Sequence, residues 1–219
     1  MIDDSINYDY IIRYIRDVLP KRHGILGELE NYAAEHEIPI SQPETIKLLE
    51  ILIKLGNRKN ILEIGSAIGY SAICMAQANP SAEIHTIEIN HDAAISANSN
   101  FEKTNLSNRI KLTEGDANIV LPQFLDKGNM YDMIFVDAAK AQYGSFFEPC
   151  MNMLKNGGIL VSDNVLYKGM TATDELVLHR KRTIVKRLRD YVEMLCSHSK
   201  LDTVVLPVGD GVALSFKTE

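Results

Sequence analysis

Apolar residues recur at helical spacing through the first quarter of the chain and then change to short unbroken runs. Residues 5–20 place Ile6, Tyr10, Ile11, Tyr14, Ile15 and Val18 on one side of a helix, with Pro20 beyond its end. A second helical pattern covers 24–36. Ile38-Pro39-Ile40-Ser41 predicts an extended crossing, and Pro43 opens a helix carrying Ile46, Leu48, Leu49, Ile51 and Leu52. From Lys59 the rhythm changes. Strand-length runs at 61–64, 83–88, 109–113, 131–137 and 158–163 alternate with helical segments at 70–79, 91–104, 117–126 and 142–155. That alternation predicts right-handed crossovers and a mostly parallel sheet with helices on both faces. Residues 203–207, the turn Gly209-Asp210-Gly211 and residues 212–216 then predict an antiparallel hairpin. The expected fold class is α/β with seven strands. It forms one domain over 1–219, with N-terminal helices over 1–57 and a ligand-binding core over 58–219.

Composition narrows the class of protein without naming it. The 219 residues suffice for one sizeable core, and 46% hydrophobic with 24% charged residues is ordinary for a globular domain. A net charge of -6 excludes a polycation that binds nucleic acid indiscriminately, though not a local basic patch. Cys74, Cys150 and Cys196 form no CxxC pair, so neither a disulfide framework nor a zinc site is expected. The acidic start MIDDSINYDY lacks the apolar segment of a signal peptide, and no apolar run is long enough to span a bilayer. A cytoplasmic location is expected.

The informative residues fall at predicted strand ends, where open α/β sheets gather their ligands. Glu63-Ile64-Gly65-Ser66-Ala67-Ile68-Gly69-Tyr70-Ser71 follows the first parallel strand, and its glycines permit a sharp turn and close approach to a ligand. It is neither GxGxxG nor a phosphate loop, which disfavours a dinucleotide or a nucleoside triphosphate. Glu88 ends the next strand, where a carboxylate can accept from both hydroxyls of a ribose, and Asp116 ends the one after. Alone, each feature is an ordinary strand end. Together they outline a nucleoside-sized pocket that S-adenosylmethionine suits best, with adenine near Asp116-Ala117 and the amino-acid tail over the glycine turn.

FVDAAKAQY, residues 135–143, closes the fourth strand on Asp137 and places Lys140 three residues later. A surface ion pair is the plain reading. Asp163-Asn164, plain turn formers, close the fifth strand beside it. Because neighbouring parallel strands lie about 4.8 Å apart, these residues converge on one point. Asp137, Asp163 and Asn164 then make a hard, all-oxygen set suited to Mg²⁺, with Lys140 beside it as a candidate base. The two alanines between Asp137 and Lys140 leave clearance for a flat ring.

ILEIGSAIGYSA, TIEIN, GDA, FVDAAKAQY, VSDNVLYKG and PVGDGVALS, in that order, resemble the metal-dependent O-methyltransferases related to catechol and caffeoyl-CoA O-methyltransferases. The resemblance runs from about residue 38 to the C-terminus. The short N-terminal helices and FVDAAKAQY…DNVLYKG are similar, more narrowly, to the bacterial tRNA 5-hydroxyuridine methyltransferases. It implies a Rossmann-like methyltransferase fold, Mg²⁺ on Asp137, Asp163 and Asn164, and Lys140 as the catalytic lysine. It further implies cofactor contacts from Ile40, Glu63, Gly65, Tyr70, Ser71, Glu88, Asp116, Ala117 and Asp137. A homodimer with the N-terminal helices at its contact is implied as well. No residue is matched to the acid that catechol enzymes set against the second hydroxyl.

His179 to Arg189 carries six further charges, with Ile184, Leu188, Tyr191, Val192 and Leu195 as an apolar stripe. A solvated surface helix is the plain reading. Lying just after Asp163-Asn164, the segment also fits the edge of a substrate entrance, where Arg180, Lys181, Arg182, Lys186 and Arg187 would meet RNA phosphates. Tyr143 and Tyr167 are candidate stacking platforms for unpaired bases. The expected activity is methylation of the 5-hydroxyl of 5-hydroxyuridine at the tRNA wobble position, giving 5-methoxyuridine. The rivals are the same chemistry on a small catechol-like or hydroxylated aromatic, a NAD-type oxidoreductase, and a non-catalytic nucleoside- or RNA-binding module.

Overall fold

The computed structural model describes residues 6–219. Three helices lead the chain: α1 (Asp9–Val18), α2 (Ile25–Glu35) and α3 (Pro43–Gly56). Ser5, the first residue of the expected opening helix, lies outside the described residues. Pro43 stands in the first turn of α3, as expected, and Asn57 ends that helix in a left-handed conformation. None of the residues of α1 is buried; Tyr10 and Tyr14 are 63% and 69% exposed, so its aromatic side faces outward. Arg16 ties this helix to α3 by hydrogen bonds of 2.7 Å to Gln42 and 3.0 Å to Glu44.

The core alternates as the apolar runs predict: β1 (Asn60–Ile64), α4 (Tyr70–Ala78), β2 (Glu83–Glu88), α5 (His91–Lys103), β3 (Ile110–Glu114), α6 (Ala117–Asp126) and β4 (Tyr131–Val136). It continues through α7 (Tyr143–Met153), β5 (Leu154–Ser162), α8 (Arg182–Ser197), β6 (Leu201–Leu206) and β7 (Val212–Lys217). The strand order is β3-β2-β1-β4-β5-β7-β6, with β1 to β5 parallel and β7 antiparallel to both neighbours. This is the expected Rossmann-like, seven-stranded sheet with its closing hairpin.

Alternation along each strand divides the core between two layers. Ile61, Met133 and Phe135 point to the layer of α2 to α5, against Ile46, Leu49, Ile73 and Phe101. Leu62, Ile64, Ile134 and Val136 point to α6, α7 and α8, against Phe124, Phe147 and Leu188. Cys74 and Cys150 are buried small residues. Several boundaries differ from expectation. The opening helix covers Asp9–Val18 rather than 5–20, which leaves Ile6 outside it, and β6 covers Leu201–Leu206 rather than 203–207. Lys140–Gln142 forms a separate 3₁₀ turn ahead of α7, and β5 begins at Leu154, which pairs with Tyr131 across an irregular register. The stretch 150–154, apolar but for Asn152, fits a helix end or a strand start equally; pairing with β4 decides it. Among the described residues, no helix is long and apolar enough to cross a membrane.

Because β1 connects to β2 on one side and lies against β4 on the other, a crevice opens at its carboxyl end. The ladder continues one residue past the strands: Asp137 donates its amide to Ile64 at 2.9 Å, and Asp163 donates to Val136 at 3.0 Å. Both carboxylates are thereby set at the crevice.

Candidate active site

One cavity of about 630 Å³ occupies this crevice. Ile40, Gly65, Tyr70, Ser71, Glu88, Asp116, Ala117, Asp137, Lys140, Asp163 and Asn164 all line it. Glu63 does not. It lies fully buried beneath the glycine turn, where it accepts from Ser71 and Thr86, each at 2.5 Å. Its place is that of a support for Ser71 rather than a wall of the cavity.

Burial pushes the Glu63 carboxyl up to about 7, above its ordinary 4.5, with the charges of Asp137 and Glu88 adding to the effect. The folded protein therefore holds this proton more tightly than the unfolded chain. Stability present at low pH is lost as pH rises from about 4.5 through 7. Glu63→Gln is expected to change stability little near pH 4 and to raise it by about 1–3 kcal/mol near pH 8. Denaturant unfolding of cofactor-free protein at both pH values measures this; an equal effect at both would overturn it.

Glu88 does two jobs. Its oxygens accept from the amides of Ala67 and Asn90, each at 2.8 Å, which pins the glycine turn to the end of β2. Each carboxylate oxygen keeps a second lone pair for a ribose hydroxyl. Asp116 caps α6 by accepting from the Asn118 amide at 2.8 Å, and its backbone turn carries Ala117 to the cavity wall. Tyr70 reaches back from the wall and donates its hydroxyl to Glu30 of α2.

The fit of a methyl donor is tested by Ser66, which the sequence reading passed over. Its hydroxyl is buried, lines the cavity and has no hydrogen-bond partner among the described residues. A buried hydroxyl without a partner is costly, and a polar ligand tail over the glycine turn supplies one. Ser66→Ala is expected to weaken S-adenosylhomocysteine binding about fivefold, the worth of one hydrogen bond, without destabilising the fold. Calorimetric titration returning an unchanged Kd would remove this contact.

At the other end of the cavity, Asp137 and Asp163 face one another. Burial holds the Asp163 carboxyl well above the usual range, and the neighbouring charge of Asp137 adds to it. Burial likewise raises Asp137, opposed by the Ser41 hydroxyl, which donates to Oδ2 at 2.9 Å, and by the charge of Lys140. Ser41 is a second residue the sequence reading missed as a site residue; it sits 96 positions from its partner. Asn164 follows with φ +54° and donates its amide to Asp163 Oδ1 at 2.7 Å. Two crowded carboxylates and an amide form a donor set that fits a divalent cation. Among the described residues, no three His, Cys, Asp or Glu side chains gather at a metal-holding position, so a cation held here would draw its third protein donor from the Asn164 amide.

The expected aromatic platforms separate. Tyr167 lines the cavity, with Lys140 Nζ 5.9 Å and Lys181 Nζ 5.7 Å from its ring centre. Tyr143 is buried, its hydroxyl donating to the Asp163 carbonyl at 3.0 Å and its ring packed edge-on against Tyr191. It braces the site and offers no stacking face. The cationic segment divides too. Lys186 pairs with Asp190 at 2.8 Å, and Arg187 donates to the Ala141 carbonyl at 3.3 Å. Arg180, Lys181 and Arg182 remain at the start of α8.

Comparison with known proteins agrees with this geometry. The O-methyltransferase family profile matches residues 18–218. Caffeoyl-CoA O-methyltransferase 3 of Nicotiana tabacum is 33% identical over 224 residues, covering 98% of this chain and 91% of that protein. The catechol O-methyltransferase of Niastella koreensis is 31% identical, covering 95% and 97%. The crystal structure of an O-methyltransferase from Bacillus cereus in complex with S-adenosylhomocysteine superposes with a TM-score of 0.85, at 26% identity and full coverage of both chains. A glycine turn under an open hydroxyl, paired acids at adjacent strand ends and these likenesses lead to one conclusion: the chain belongs to the O-methyltransferase family, as an S-adenosylmethionine-dependent enzyme of the caffeoyl-CoA and catechol type.

Proposed function

We propose that this enzyme is Mg²⁺-dependent and methylates the 5-hydroxyl of 5-hydroxyuridine at the tRNA wobble position, giving 5-methoxyuridine. The observation that carries the tRNA reading is Lys181, at the cationic start of α8, lying 5.7 Å from the centre of the Tyr167 ring on the cavity wall. Tyr167 offers a stacking face to an unpaired base, and Arg180, Lys181 and Arg182 offer charge to the phosphates beside it. A tRNA substrate places the enzyme in the cytoplasm.

Asp137, Asp163 and Asn164 would hold Mg²⁺, whose charge favours the ionised form of an acceptor hydroxyl. Lys140 stands on the cavity wall beside Tyr167, where its amine, once neutral, would take the hydroxyl proton. Ser41 and Tyr143 keep Asp137 and the Asp163 backbone in place, Glu88 receives the ribose, and Asp116 with Ala117 borders the adenine. Ala138 and Ala139 leave the floor between Asp137 and Lys140 low enough for a flat ring. Positioning and electrostatics account for most of the rate gain in such a site.

Nucleoside mass spectrometry of tRNA from a strain lacking the gene tests the substrate; unchanged 5-methoxyuridine defeats the tRNA reading. Neutralising Arg180, Lys181 and Arg182 together is expected to lower the log–log salt slope of RNA binding by about two. The second reading, a small catechol-like or hydroxylated aromatic acceptor, is favoured by the names of the relatives and by Asp210, an acid on the cavity wall. The outward aromatic side of α1 supports a homodimer contact there, which sedimentation of Tyr10→Ser/Tyr14→Ser protein tests.

A further inference from the structure

The loop after β5 carries an unusual backbone. Asn164, Tyr167 and Lys168, none of them glycine, have φ of 54°, 45° and 57°, a conformation that side chains disfavour. Three such residues within five positions do not hold themselves in place. Within the loop, Tyr167 donates its amide to the Asn164 carbonyl at a long 3.3 Å. Met170 donates its amide to the Tyr167 carbonyl at 3.1 Å, and the Thr171 hydroxyl donates to the Leu166 carbonyl at 3.0 Å. Further ties come from the turn between β6 and β7, remote in sequence. Val165 donates its amide to the Gly211 carbonyl at 2.9 Å, and Leu166 donates to the Asp210 carbonyl at 3.1 Å. Lys168 donates its amide to Asp210 Oδ1. The approach is close enough that a Cβ on Gly211, itself at φ +89°, would lie 2.8 Å from the Leu166 nitrogen.

Two residues of this loop face the cavity and matter to the chemistry: Asn164, a proposed metal donor, and Tyr167, the aromatic wall. The Asp210 carboxylate meets the loop at the amide of Lys168, one residue past Tyr167. On the far side Arg189 donates to the carbonyls of Met170 at 3.0 Å and Thr171 at 2.9 Å, so the loop is held at both ends. A carboxylate accepting a backbone amide at a strained position fixes that backbone, and groups standing behind metal ligands set their orientation.

We propose that Asp210 is a positioning residue for methyl transfer: by accepting the Lys168 amide it fixes the loop that presents Asn164 and Tyr167, and so sets affinity for the divalent cation and the acceptor. The proposal rests on Asp137, Asp163 and Asn164 being the metal donors. The loop is held by the acceptor atom in its place, a role separate from the Asp210 charge, which acts on the Asp163 carboxyl.

Mn²⁺ binding, followed by electron paramagnetic resonance, separates these. Asp210→Asn keeps an acceptor oxygen at the same reach and loses the charge, whereas Asp210→Glu keeps the charge and displaces the oxygen by one methylene. Mn²⁺ affinity is expected within about twofold of wild type for Asp210→Asn and weaker by about tenfold or more for Asp210→Ala, the range seen for groups behind metal ligands. Asp210→Glu is expected to fall between them, and the acceptor KM of each variant is expected to rise in the same order. S-adenosylhomocysteine affinity stays level throughout, because Glu88 and the glycine turn lie at the other end of the cavity; this also reports that each variant is folded. Asp210→Asn as weak as Asp210→Ala, or Asp210→Ala equal to wild type, overturns the proposal while leaving the metal assignment intact. Wild-type protein that binds no Mn²⁺ overturns both.

Discussion

Gly65→Ala is expected to destabilise the protein by about 4 kcal/mol or more, the range of the severest single substitutions, and to abolish cofactor binding with it. Gly65 has φ +100°, and a Cβ there would stand 2.0 Å from the Asp137 carbonyl oxygen and 2.8 Å from its carbon. Both contacts are to backbone, so no side-chain rotation relieves them. The glycine turn itself cannot yield easily, since the Gly65 amide is committed to the Ile87 carbonyl at 2.9 Å and the Ala67 amide to Glu88. What remains is to push residues 137–138 away, and with them the segment from which Asp137 and Lys140 reach the cavity. Denaturant unfolding and calorimetry with S-adenosylhomocysteine measure the two losses. Gly144→Ala, where nothing lies within 4 Å, is the control and is expected to match wild type. Stability within about 1 kcal/mol of wild type for Gly65→Ala would contradict the packing at the β1–β4 crevice.

Much of this crevice is legible before any coordinates. The change from helical spacing to short runs near Lys59 implies the parallel sheet, and acids at successive strand ends imply a ligand, because both follow from local spacing. Contacts made across the fold are another matter. Ser41 reads as part of an extended crossing, and nothing local shows that its hydroxyl meets Asp137. Asp210 reads as the centre of a tight turn, which it is; its grip on the Lys168 amide exists only because the hairpin folds back beside β5.

Two readings fail for a shared reason. Tyr143 has the right residue type near the right motif, but it is buried and its hydroxyl is committed to the Asp163 carbonyl. Glu63 stands with it, since its position in the glycine motif suggests a cofactor contact while its carboxylate is spent on Ser71 and Thr86. Residue type can be read from sequence, whereas prior commitment of a polar group cannot. Ser66 is the converse case: an unremarkable serine marked out by lacking any partner in a buried place.

Asp163→Asn is expected to lower methyl transfer by about two to three orders of magnitude, as loss of one preorganised electrostatic group does, and to leave S-adenosylhomocysteine affinity unchanged. The substitution is nearly isosteric. Its amide oxygen still accepts from the Asn164 amide, and the backbone bonds to Val136 and Tyr143 do not involve the side chain. Asp163 is 1% exposed and burial beside Asp137 disfavours its ionised form, so a neutral amide fits the site without strain. If the carboxylate serves to hold a divalent cation, Mn²⁺ affinity falls together with the rate, and raising the metal concentration recovers part of the lost activity. If Asp163 served only to brace the β5 end, the isosteric amide would do the same work and neither quantity would move. A variant with wild-type turnover and wild-type Mn²⁺ affinity would therefore remove Asp163 from the metal set. Asn164 would then have no partner acid but Asp137, too few donors to retain the ion against water.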